Sequence, residues 1–203
     1  MKDGKLTLRN IIILIALACG FMWYNKEGPA TYGPGIVAPS SPVQRDFSAP
    51  PSFTFDRYSI TELASFDIEA RVLGRENYSS DRGAELSPMD LALGWGRMSD
   101  ESVLADINIR QSGRFYFWRV DAFPIPRQEI ETHSANMHLI PANDDVARDM
   151  DEIREGDVVQ LSGSLVQATS KDGWVWRSSL TRNDTGNGAC ELIWVEHVDI
   201  VRR

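Results

Sequence analysis

The chain predicts a mainly β fold with two short helices, a small barrel-like domain carried behind an N-terminal membrane anchor. Three observations predict it. Residues 65–72 alternate, with Phe66, Ile68, Ala70 and Val72 on one face and polar residues on the other, the period of a half-buried strand. Gly156 to Val166 reads as a second strand with a glycine, Gly163, at its centre, where a strand can bend sharply. Ahead of both stand a basic head, an apolar run and a Pro/Gly-rich stretch, the layout of an exported domain on a leash.

Residues 1–27 are read as a cytoplasmic stub and a membrane anchor or signal segment. Lys2, Lys5 and Arg9 face one acid, Asp3, and an uncharged run from Asn10 to Asn25 follows, with Phe21, Trp23 and Tyr24 at its exit. Cations resist translocation and aromatics favour the interface, so the remainder is expected to cross. A span needs about 20 apolar residues, a length approached from Leu6 if Arg9 snorkels. Two alternatives stay open. Ala16-Leu17-Ala18 fits a signal cleavage site, and Cys19 directly after it fits a lipid-modified amino terminus. All three export the domain.

Residues 28–52 hold six of the ten prolines. Proline fixes φ and removes a donor, and little here is apolar enough to bury, so an extended tether is expected. Residues 53–203 then make one extracytoplasmic β-rich domain. Its composition is globular, with 42% hydrophobic and 25% charged residues over the chain. A net charge of -8 argues against nucleic acid as partner. The two cysteines, Cys19 and Cys190, are too far apart in role to form a disulfide framework.

Along the domain, Asp106 to Val120 looks like a hairpin turning at Ser112-Gly113. Lys171-Asp172-Gly173 turns into Trp174-Val175-Trp176, and Ala189 to Val201 supplies a last strand pair or one long bent strand. The two expected helices are Ser87 to Gly94, with serine as cap and proline in the first turn, and Asn143 to Arg154, with Val146, Met150 and Ile153 at helical spacing. The run from Gly156 to Val166 resembles the opening strand of many oligonucleotide/oligosaccharide-binding (OB) barrels. The likeness covers about a dozen residues and carries no ligand with it.

Three constellations are candidates for chemistry. His133 and His138 are two of only three histidines, with Asn136 between them and Glu129 and Glu131 just before. Their odd spacing puts them on opposite faces of a strand, so no metal site is expected. No motif calls for a cofactor. The second constellation is the polar, glycine-rich run Ser178 to Glu191, which contains Arg182 and Asp184 and delivers the thiol of Cys190. Such loops can present amides to an anion, with an arginine assisting.

The order of tether, β-domain, histidine, Cys190 and a terminal arginine resembles that of sortases. The resemblance implies Cys190 as nucleophile, His133 or His138 as acid/base, and Arg202 or Arg203 as the stabilising cation. The Thr-Leu-x-Thr run that precedes the sortase cysteine reads Gly186-Asn187-Gly188-Ala189 here. The third constellation is aromatic. Trp174 and Trp176 lie two apart, hence on one strand face, and make either a stacking platform or core.

The sequence therefore points to a single-pass cell-membrane protein with a periplasmic-type domain. Its expected work is binding or assembly in a bacterial-type envelope, with a protein or cell-wall partner. Trp174, Trp176, Asn136 and Asp184 are the binding candidates. The alternative is a Cys-dependent acyltransferase or hydrolase using Cys190, His133, His138 and Arg182.

Overall fold

The computed structural model describes residues 28–182, 186 and 189–203. The anchor expected over 1–27 and the candidate Asp184 lie outside them. Among the described residues no helix is long and apolar enough to cross a membrane.

Five strands make the barrel-like sheet: β3 (Tyr58–Asn77), β4 (Met89–Gly94), β7 (Ser134–Pro141), β8 (Val158–Ser170) and β10 (Glu191–Arg202). They neighbour one another in the order β3-β4-β7-β10-β8, and β8 pairs back onto β3. The pairing of β10 with β7 is parallel and the others are antiparallel. Long, bent strands make this return possible. The registers of β3 slip between Glu62 and Ala64 and between Val72 and Gly74. At Gly163 a Cβ would collide with the Trp194 carbonyl, so only glycine lets β8 pass β10 this closely.

The expected alternation in residues 65–72 fills the barrel. Phe66, Ile68, Ala70 and Val72 meet Met89, Leu91, Leu93, Met137, Leu139, Leu161 and Ile193 inside it. Each large side chain buried here contributes roughly 1.5–3 kcal/mol. Val146, Met150 and Ile153, spaced for a helix in the sequence, close one end. Of these, Val146 and Met150 sit on the helix Asp144–Asp151, and Asn143 caps it by accepting from the Asp145 and Val146 amides.

The segment Ser87 to Gly94 is corrected from helix to strand. Met89, Leu91 and Leu93 alternate with Asp90 and Ala92, and pairing with β3 and β7 on both sides outweighs the local capping signal. Among the described residues three α-helices stand where two were expected. Glu101–Leu104 and Arg127–Thr132 are each too short to show a helical period in the sequence.

The tether is also corrected. Within 28–52, Val43–Asp46 is strand β1, antiparallel to β3, and Ser52–Phe55 is strand β2 on the same neighbour. Residues 30–38 are strapped to one end of the barrel. The amides of Tyr32 and Gly33 donate to Glu101, those of Val37 and Ala38 to Ser99, and the Tyr32 ring lies between Arg71 and Arg202. Prolines do not prevent this, because the strap is held through its remaining amides rather than by a ladder.

The expected hairpin forms from β5 (Ile107–Ser112) and β6 (Phe115–Val120). Its turn residues Gly113 and Arg114 have φ of +59° and +72°, the left-handed pair that a tight hairpin requires. Ile107, Ile109, Tyr116 and Trp118 pack it onto the outside of the sheet against Ala92, Met98 and Ile130. A short strand β9 (Val175–Arg177) pairs with the far end of β8.

Candidate functional site

The site is built on the outer face of β4 and β7. Register places Asp90 opposite His138 and Ala92 opposite Asn136, and the odd positions between them face the core. Asp90, Asn136 and His138 are all buried beneath the hairpin. A carboxylate taken out of water needs partners, and Asp90 has three. Arg114 Nη1 donates at 2.7 Å and Asn136 Nδ2 at 3.3 Å. His138 Nδ1 lies 2.9 Å away but is out of line for a good hydrogen bond. Gln111 completes the set by donating to Asn136 Oδ1 at 2.7 Å.

Arg114 is the hub. Its strained turn position is held by its own amide donating to the Tyr78 hydroxyl and by its carbonyl accepting from Asn136. Its guanidinium also grips Asp81 through two bonds of 3.0 and 3.1 Å and lies 3.7 Å from the Tyr78 ring centre. Burial by itself pushes the Asp81 carboxyl up. The bonds from Arg114 and from the Gly83 amide outweigh it, and the group is held below the ordinary carboxylate range.

Above this network opens a cleft of about 460 Å³, bounded by Asp81–Gly83, Arg114 and Phe115, His138, Trp174–Arg177 and Cys190. Trp174 and Trp176 are half-buried neighbours, 5.7 Å between ring centres. His138 lies 4.8 Å from Trp176, and Arg82 and Arg114 sit over Trp174 and Trp176 at 5.2 and 5.5 Å. Three loops and a strand are thus stapled by alternating rings and guanidiniums. A larger cavity of about 760 Å³ lies at the base of the hairpin, near Asp106 and Phe123, and includes none of the candidate residues.

Four sequence candidates meet in the cleft: His138, Cys190, Trp174 and Trp176. Asn136 lies directly below, shared between the Asp90 network and a second cavity of about 290 Å³ that also reaches Cys190. His133 is elsewhere, ending the helix Arg127–Thr132, its ring 6.2 Å from Trp95. Arg182 pairs with Glu191 at 2.7 Å and lies over Phe66; it lines that second cavity with Asn136 and Cys190, not the first cleft. Arg202 and Arg203 are bound at the opposite end, to Tyr32 and to Glu152 and Asp157. The thiol of Cys190 contacts the Arg114 carbonyl at 4.0 Å.

Asp90, Arg114, Asp81 and Gln111 were not among the sequence candidates. The one signal for them is Asp90 itself, a lone acid inside the apolar run Met89 to Gly94. No family model, curated protein or solved structure matches the chain.

Proposed function

We propose that this protein is a binding or assembly module of a bacterial-type cell envelope, anchored through residues 1–27, that captures its partner in the cleft of an OB-like barrel. OB barrels hold ligands on the face of their second and third strands, between the loops joining strands 1–2 and 4–5. Counting β3, β4, β7, β8 and β10 as the five, the cleft opens at His138 on the third strand, between residues 78–88, which join strands 1 and 2, and residues 171–177, which follow strand 4. The observation that carries the reading is the convergence of Trp174, Trp176, His138 and Cys190 at that place, on a rim already stapled by Arg114. A preordered rim loses little entropy when it binds.

A photo-reactive residue at Val175, in the full chain in its native envelope, tests this. The expected result is a discrete adduct from position 175 and none from Val201, equally exposed at the other end of β10. Equal labelling from both positions, or none from either, overturns it.

One observation favours a second reading, thiol chemistry. Cys190, His138 and Asp90 share the outer face, and the first two share the cleft. Against it, the thiol faces a carbonyl acceptor and the Arg182 guanidinium is paired with Glu191. Loss of a cellular phenotype in Cys190→Ala, with fold and adduct intact, would favour the enzyme.

A further inference from the structure

We infer that the cleft takes an extended polypeptide segment of a protein partner, added as a strand to the edge of β9 that carries the Val175 and Arg177 peptide groups. This rests on the binding reading above and names its ligand class. Among the described residues β9 has one neighbour within the sheet, β8. The Trp174 carbonyl accepts from the Ser170 amide and the Ser178 amide donates to the Val166 carbonyl, both at 2.9 Å. Alternation along an antiparallel pair then turns the peptide groups of Val175 and Arg177 away from β8. Among the described residues no strand pairs with that edge at Val175 and Arg177. Two residues on, the Ser179 amide, which points the same way, donates to the Cys190 carbonyl at 3.1 Å, so the available stretch ends at Arg177. An unpaired edge is a template for another chain.

Side-chain chemistry agrees. Val175 and Phe115 are 51% and 41% exposed at the rim of the cleft. An added strand would alternate in step with β9. Its inward side chains enter the cleft beside Trp176 and Phe115, and its outward ones lie next to Val175 and Arg177. The Arg177 guanidinium donates to Gln167 Oε1 at 2.8 Å and has no carboxylate partner among the described residues, so an acidic residue on the incoming segment would be accepted there.

Two other polymers fit less well. A polyanion needs several uncompensated cations along its path, but Arg82 is paired with Asp172, and Arg114 with Asp81 and Asp90. A glycan needs open ring faces, and a guanidinium already covers one face each of Trp174 and Trp176.

The probe is a phage-displayed library of random dodecapeptides, panned on the full chain in detergent. Val175→Pro removes the edge amide without touching the β8 ladder, and proline is tolerated on an edge strand. Val175→Thr keeps the amide. The expected result is enrichment of peptides with apolar residues at alternate positions. They should bind Val175→Thr as wild type and Val175→Pro roughly tenfold more weakly, the loss of one main-chain hydrogen bond.

No enrichment, or equal binding to the proline variant, overturns the inference. Should Val175→Pro not fold, hydrogen exchange on the wild-type chain decides. A selected peptide must slow exchange at the Val175 and Arg177 amides, and unchanged exchange overturns the inference. A position-175 adduct that proves to be glycan leaves the binding reading standing and removes this one.

Discussion

Asp90 and Arg114 meet at 2.7 Å across the boundary between barrel and hairpin, the carboxylate side chain wholly buried and the guanidinium nearly so. That pair fixes the hairpin tip on the sheet, and with it the wall of the cleft. Because Arg114 reaches Asp81 with its other nitrogens, barrel, hairpin and the loop after β3 share one cation.

Removing the buried partner should cost far more than removing the exposed one. Asp90→Ala leaves Arg114 and His138 facing an emptied site and is expected to lower stability by about 3 kcal/mol. Asp81 is more exposed, at 39% of its side chain, and Asp81→Ala should cost under about 1 kcal/mol. Urea denaturation of both variants checks the contrast.

The bend at Gly163 makes a second prediction. Gly163→Ala puts a methyl group against the Trp194 carbonyl, and either β8 or β10 must shift, at roughly 1–3 kcal/mol. A thermal melt with no loss of stability would show that the two strands are not held so close.

The strap should loosen in acid. Glu101 is held below the ordinary carboxylate range chiefly by the Tyr32 amide, and Asp100 chiefly by the Gly35 amide. Groups with depressed folded values add stability above their unfolded value, near 4, and lose it as pH falls through the folded value. Limited proteolysis of residues 28–38 should therefore be slow near neutrality and fast only well below pH ~4. Tyr32→Ala removes the ring between Arg71 and Arg202 and should expose the same sites already at neutral pH.

At the other extreme, burial pushes the Tyr116 hydroxyl up to about 12, the Ser134 bond opposing it only in part. A raised folded value adds stability below the unfolded value of about 10, which is lost as pH climbs through the folded one. Burial raises Tyr32 and Tyr78 too, so an ultraviolet titration should show several late tyrosines, of which Tyr116→Phe removes the one near 12.

The parts of this fold legible in the sequence are those set by local period. Phe66 to Val72, the turn at Gly113 and the bend at Gly163 were each readable from a few neighbouring residues. Met89 to Gly94 was not, because Ser87-Pro88 is as good a helix start as a strand entry until β3 and β7 flank it. The strap escaped because Tyr32 and a handful of amides hold it, with little apolar burial for composition to register. In the site, Trp174, Trp176, His138 and Cys190 were visible as residue types. Their meeting depends on the parallel register of β10 on β7, and the Asp90–Arg114 pair depends on where the hairpin lands.

The most direct test of the cleft as a binding site is the rate at which a small maleimide alkylates Cys190 in the full chain, with and without the cell-envelope fraction. Cys190 is half-buried at the cleft wall, so an occupant must shield it. The account predicts a several-fold slowing for the wild-type chain and none for Trp176→Ala. An unchanged rate for the wild-type chain would contradict it.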